Sequence, residues 1–183
     1  MKSQKQKTKT YENFPSWMVA LSNLLPLLIY IIGAYILYKL WVGFFVLYIL
    51  YCFWVEKRVL KKSCINCYYY GKTCCFGKGK ICSWFFKKGD TKNFCKKQIS
   101  WVDILPDFLV SIFPLIAGII LLIIKFNWRI LLLMIIIVLL SSVGTSIIRG
   151  NFACKYCKQR EFGCPAEKLF NKKREGKVKN ETN

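Results

Sequence analysis

The residues WRILLLMIIIVLLSSVGTSII (128–148) decide the fold. Ten of them, Ile130 to Leu133 and Ile135 to Leu140, are Leu, Ile or Val, and together they contribute about −3 to −6 kcal/mol toward bilayer insertion. That gain exceeds the cost of Ser141, Ser142, Thr145 and Ser146, whose hydroxyls can bond back to their own helix. Gly144 among these small residues marks a face where another helix can approach closely. A run of this length and composition reads as a membrane-spanning helix, which needs roughly 20 apolar residues.

Working outward, a second apolar run extends from about Ile104 or Phe108 to Ile124, separated from the first only by Lys125, Phe126 and Asn127. Two spans joined so tightly form a hairpin. The same arrangement occurs nearer the N-terminus, where a span from Trp17 to Tyr38 meets Lys39 and a further span runs from about Leu40 to Val55. That last span is short for a hydrocarbon core, so Lys39 and Lys57 are expected to snorkel at its two ends. Asp103 and Asp107 flank Pro106 at the entrance to the third span and read as an interfacial cap before a helix starting near Phe108. The fold expected is all-α and integral to a membrane: four transmembrane helices as two tandem hairpins, related by a pseudo-two-fold along the membrane normal.

Each hairpin is followed by the same cysteine spacing, C-x2-C-x6-C, at Cys64, Cys67 and Cys74 and again at Cys154, Cys157 and Cys164. The chain therefore divides into a basic tail (1–16), a first hairpin (17–55), a Cys- and Lys-rich loop (56–100), a second hairpin (101–148), a second cysteine motif (149–170) and a polar tail (171–183). Residues 1–13 have no period that could bury a face and read as a disordered tail on anionic lipid. The following apolar stretch is too long for the core of a signal peptide, so the first helix is expected to stay in the mature protein.

Charge orients the chain. The formal net charge is +20 although 55% of residues are hydrophobic, and the two kinds of residue are segregated. The N-terminal tail, middle loop and C-terminal tail hold 4, 12 and 10 Lys and Arg, against Lys39, Lys125 and Arg129 in the hairpin turns. Basic residues mark the cytoplasmic side, which places both termini and both cysteine motifs there, in a cell membrane. Nucleic acid is not an expected partner, because topology already accounts for the charge.

A reducing cytoplasm argues against stable disulfides for the ten cysteines. With no histidine in the chain, a metal site must draw chiefly on thiolates. A C-x2-C turn lets two thiolates converge on one ion, and the third cysteine completes most of a tetrahedron. The candidate ligands are thus Cys64, Cys67, Cys74, Cys154, Cys157 and Cys164, with Cys75, Cys82 and Cys95 as additional ones, and the two loops are expected to face each other and share them. Lys72, Lys155, Lys158 and Arg160 would offset the charge of bound thiolates. Zinc and an iron–sulfur cluster both accept four thiolates. Cys52, inside the second span, reads as a small hydrophobe, and Ile81 to Lys88 reads equally as a segment in the headgroup layer or as the core of the loop.

The function expected is a small polytopic membrane protein with a cytoplasmic all-cysteine metal site, acting as an iron–sulfur electron-transfer component with a cytoplasmic redox partner. The alternatives are a structural zinc module of a membrane anchor or adaptor, and a thiol-redox or metal-handling protein, the latter as an oligomer. No phosphate-binding loop, serine nucleophile motif or nucleotide fingerprint is present, so an enzyme acting alone is not the expectation.

Overall fold

The computed structural model describes residues 10–91, 94, 101–159 and 164. Among them the protein is helical, and the one extended pairing is a parallel bridge between Tyr11 and Cys157. Helices α1 (Ser16–Leu40) and α2 (Val42–Lys62) are separated by Trp41 alone, whose extended backbone ends one and starts the other. The break expected at Lys39 therefore falls at Trp41. A 3-10 turn (Cys64–Asn66) leads to the short α3 (Lys78–Phe85), then α4 (Trp101–Ile124) and α5 (Trp128–Leu139). Asn127 caps α5 by accepting the Arg129 N–H at 3.0 Å.

Beyond Leu139 the helix runs on through a π turn (Leu140–Gly144), a short α segment (Thr145–Ile147) and a second π turn (Ile148–Ala153). The hydroxyls do bond back: Ser142 donates to the Val138 carbonyl at 2.5 Å, Ser146 to that of Ser142 at 2.7 Å and Thr145 to that of Leu140 at 3.3 Å. Such bonds compete with the α-helical ladder, and the widened turns coincide with them. Gly144 receives Leu25 of α1, whose side-chain tip would lie 2.5 Å from an added Cβ.

Three helices are long and apolar enough to cross a membrane: Ser16–Leu40, Val102–Ile124 and Trp128–Gly150. The expected fourth span lies in α2, which is apolar only to Val55 and then carries Glu56, Lys57, Arg58, Lys61 and Lys62 in the same helix. All four long helices share one core, with Ile36 of α1, Tyr48 and Cys52 of α2, Val110 and Ala117 of α4 and Ile137 of α5 among its buried members. Their outer faces are apolar as well. Phe53 is 70% exposed and Ile123 80%, an arrangement suited to lipid, since contiguous apolar surface of this extent is unstable in water.

The prolines of α4 explain how α2 is held. A proline has no N–H, so Pro106 and Pro114 free the carbonyls four residues earlier, those of Val102 and Val110. Arg58 donates to the first and the buried Tyr48 hydroxyl to the second, each at 3.0 Å, and Tyr51 donates to the Pro106 carbonyl between them at 3.0 Å. Gly33 of α1 makes room for this seam: a Cβ there would lie 2.5 Å from the Tyr48 hydroxyl oxygen and 3.1 Å from Pro114. α4 also begins earlier than expected, at Trp101, because Pro106 is accommodated within it. Asp103 then sits in its first turn, 3.4 Å from the Lys62 ammonium and 3.7 Å from the Arg58 guanidinium, where the helix dipole favours a negative charge. Asp107, one turn on, is exposed.

Candidate metal centre

The C-x2-C part of the sequence repeat is a structural repeat. In each C-x2-C segment the second cysteine's N–H donates to the first cysteine's carbonyl, at 3.3 Å for Cys67 to Cys64 and 3.4 Å for Cys157 to Cys154. Each turn comes directly off a long helix, closed by Ser63 N–H on the Val59 carbonyl and by Cys154 N–H on that of Arg149. Two thiol-bearing turns are thus delivered to the same end of the bundle.

Tyr69 joins them. Its side chain is 1% exposed, and its hydroxyl donates to the Tyr11 carbonyl at 2.6 Å while accepting the Lys158 N–H at 2.9 Å. Beside it the Gln159 side chain, 2% exposed, accepts the Tyr68 N–H at 2.7 Å. Phe14, Met18, Tyr69, Cys75 and Ala153 form a second hydrophobic core, against which Cys67, Cys74 and Cys157 pack. The two cysteine loops therefore face each other.

The end of the N-terminal segment completes this module, which corrects the expectation of a disordered tail through residue 13. Tyr11 N–H donates to the Tyr156 carbonyl at 3.1 Å, Phe14 N–H to that of Thr73 at 2.9 Å, and Thr73 N–H to the Asn13 side chain at 3.1 Å. Burial of Phe14 and the ring contacts of Tyr11 with Phe14 and Tyr156, at 5.6 and 5.4 Å, hold the strap in place. Residues 1–9 lie outside the described residues.

The additional ligands differ from the repeat cysteines. Cys75 is buried with its sulfur 3.0 Å from the Ser22 hydroxyl of α1. Cys82 is fully buried on the inner face of α3, its thiol donating to the Leu60 carbonyl of α2 at 3.7 Å. Cys95 lies outside the described residues. The six repeat cysteines are only partly buried, so their sulfurs are the better placed for a ligand. α3 itself depends on glycine: Gly77 before it has φ +66°, and a Cβ on Gly79 would stand 2.1 Å from the Tyr69 carbonyl oxygen.

Electrostatics divides the thiols into two sets that meet at one residue. Burial pushes the Cys64 thiol up to about 12, and neighbouring Cys74, Cys82 and Cys67 add to it while Lys78 opposes. Burial likewise pushes Cys157 up to about 12, with Cys67, Cys164 and Cys154 adding to it and the Gln159 N–H opposing. Cys67, raised to about 11 chiefly by burial, has Cys74 and Cys164 as thiol neighbours and so belongs to both sets. Among the described residues, no three of these groups converge closely enough to hold one ion as they stand.

The expected cations are engaged elsewhere. Lys72 lies over the Tyr68 ring at 4.5 Å, Lys155 lies over that of Tyr156 at 5.5 Å, and Lys158 pairs with Glu12 at 2.5 Å; Arg160 lies outside the described residues. The cation that bears on Cys64 is Lys78, which also pairs with Glu56 at 2.6 Å. Spacing did not point to Tyr69 or Gln159 either, although the run Tyr68-Tyr69-Tyr70 inside a Lys-rich loop was an available signal. No protein-family model, no curated protein and no solved structure matches this chain, and its chemistry is read from its own residues.

Proposed function

We propose that the chain crosses a membrane four times and carries, on the cytoplasmic side, a module in which thiolates from both cysteine loops hold metal. The fourth crossing is α2. Its outward Leu47, Leu50 and Phe53 are exposed at 60–70%, like the outer faces of the other long helices. At its charged end Arg58 and Lys62 reach the start of α4, as snorkelling cations do at an interface. The distribution of Lys and Arg supports placing both termini on the cytoplasmic side.

The observation that carries the metal reading is that thiols of both loops, Cys67 and Cys74 from the first and Cys157 from the second, pack against one small core. Cys64, Cys67, Cys74 and Cys82 would form one ligand set, for which Cys82 gives up its bond to Leu60; Cys154, Cys157, Cys164 and a shared Cys67 would form the other. Two four-coordinate ions sharing one thiolate need these seven sulfurs, drawn inward on binding. A divalent ion supplies the positive charge that crowded, partly buried thiols lack, and displaces their protons. Closed sites of four thiolates are the structural kind, so zinc binding the two loops together, in a membrane anchor or adaptor, is the reading the packing favours.

An iron–sulfur cluster passing electrons to a cytoplasmic partner is the second reading, on the same thiolate set. A thiol-exchange activity is disfavoured, because reactive cysteines have lowered pKa values and those of Cys64, Cys67 and Cys157 are raised. Anaerobic purification in detergent, with metal and acid-labile sulfide analysis and an absorption spectrum, tests all three. About two zinc ions per chain in a colourless protein, reduced in Cys67→Ser more than in Cys82→Ser, is the expected result. Iron with labile sulfide and visible absorption would select the cluster. Absence of both metals, with all repeat cysteines open to alkylation, would overturn the proposal.

A further inference from the structure

We propose that α3 is an amphipathic foot that rests in the anionic headgroup layer of the bilayer and fixes the depth of the cysteine module beneath the helices. α3 buries Gly79 and Cys82 on one face. On the other, Ile81, Trp84 and Phe85 are 43%, 72% and 72% exposed; spaced i, i+3 and i+4, they form one apolar stripe. Exposed Lys80 on α3, with Lys87 and Lys88 just beyond its end, sets cations beside this stripe. The stripe is therefore not the core of the loop.

Contacts set its level. Just before α3, the Phe76 carbonyl accepts from the Asn23 side chain at 3.2 Å, in the second turn of α1. Lys78 at the start of α3 pairs with Glu56, the first charged residue of α2, and Cys82 in its middle bonds to the Leu60 carbonyl. Glu56 is where α2 turns from apolar to charged, and Leu60 lies one turn farther, about 6 Å along the axis. The polar layer on each side of a hydrocarbon core is itself roughly 5–7 Å thick. α3 thus occupies the depth of the headgroups, at the level of outward-facing Trp54, which is 52% exposed. Tryptophan and phenylalanine flanked by lysine suit that layer, and the lysines select anionic lipid.

The inference rests on the bundle crossing a bilayer and is independent of any metal. The test uses the full chain in liposomes with and without anionic lipid, checked for insertion by resistance to alkaline carbonate, so that failure to span is seen separately. The Trp84 signal is obtained as wild type minus Trp84→Phe, a substitution on an exposed side chain that leaves the inner face of α3 intact. Headgroup nitroxide lipid should quench it about twofold more than mid-chain nitroxide, and iodide should quench it weakly. Replacing Lys80, Lys87 and Lys88 by Gln should raise iodide access in anionic liposomes to the level found in neutral ones. Free access of iodide to Trp84 in wild type, with no effect of headgroup nitroxide, would overturn the proposal and leave the stripe as a surface for a protein. Unchanged iodide access in the lysine variant would overturn the selection of anionic lipid.

Discussion

The two copies of the cysteine motif share a spacing and a turn but not an environment. The first is built into its surroundings: α3 folds back on it, Gly79 locks against its backbone, and Cys75 and Cys82 tie it to α1 and α2. The second hangs from the π turn Ile148–Ala153 that ends the continuation of α5, and meets the rest through the Tyr69 hydroxyl, the Gln159 side chain and the Tyr156 carbonyl. A repeat in sequence has thus become a host and a guest. The spacing thus encodes the local turn, whereas the partner of each turn is encoded by residues outside the motif.

The host should break most readily at Gly79. A methyl group there meets the Tyr69 and Lys72 carbonyl oxygens, which are backbone atoms of a hydrogen-bonded turn and cannot swing aside. Gly79→Ala should cost about 3 kcal/mol or more, read as a lowered thermal midpoint and faster trypsin cleavage between residues 57 and 88. On the guest side Gly150 has nothing within 4 Å of an added Cβ, so Gly150→Ala should be neutral or slightly stabilising. Equal effects of the two substitutions would remove the distinction between host and guest.

Tyr69 is the joint. Tyr69→Phe keeps the ring among Phe14 and Tyr68 but leaves the Tyr11 carbonyl and the Lys158 N–H without their shared partner. The expected loss is about 2 kcal/mol, and it should appear as increased amide exchange at Tyr11 and at residues 154–159 while the first loop stays protected. Uniform loss of protection across both loops would mean that they fold as a single unit.

A smaller effect follows from the raised thiols in metal-free protein. Cys64, Cys67 and Cys157 hold their protons more tightly when folded than the ordinary thiol value of 9.0 allows. Their contribution is therefore fully present below pH 9 and is lost as pH rises from 9 toward 11 or 12. Stability of the chelator-treated protein should be flat up to about pH 8.5 and then fall by roughly 1 kcal/mol per thiol within the next unit or so. Cys67→Ser, which removes the thiol common to both sets, should shallow that fall. A decline on lowering the pH from 8 to 6 would show instead thiolates stabilised by the fold, and would return the exchange chemistry to consideration.

These contrasts also mark what the sequence could be read for. The spans of α1, α4 and α5 were legible because uninterrupted Leu and Ile have few alternatives to lipid. The turns at Cys64–Cys67 and Cys154–Cys157 were legible because their spacing recurs. The bounds of α2 and α4 were not: a helix continues through Glu56 to Lys62 and through Pro106 because neighbouring helices satisfy the groups involved, and only tertiary structure shows Arg58 and Tyr48 taking up the freed carbonyls. The burial of Cys75 and Cys82 against Ser22 and Leu60 was not legible either, since spacing says nothing about direction and that burial depends on how α3 returns to the bundle. The roles of Tyr11 and Phe14 are illegible for a related reason, as two aromatic residues make no period, and their partners lie some 60 and 140 residues away.

The weakest link between host and guest should be the one most visible from outside. Lys158 and Glu12 form an ion pair at 2.5 Å, and the lysine holds the Glu12 carboxyl below the usual carboxylate range, chiefly through their hydrogen bond. The pair lies at the surface, with the Glu12 side chain exposed and that of Lys158 partly so, and there the attraction is screened and two long side chains must be ordered to keep it. The same lysine contributes its backbone N–H to the Tyr69 hydroxyl in the interior, an interaction that does not depend on its charge. Glu12→Gln should accordingly leave the thermal midpoint unchanged within error, with no added sensitivity between low and about 0.5 M salt. A clear loss of stability in Glu12→Gln, abolished by salt, would mean that the strap is held by its surface charge rather than by Phe14 and the buried Tyr69 hydroxyl, and would move the joint from the core of the module to its rim.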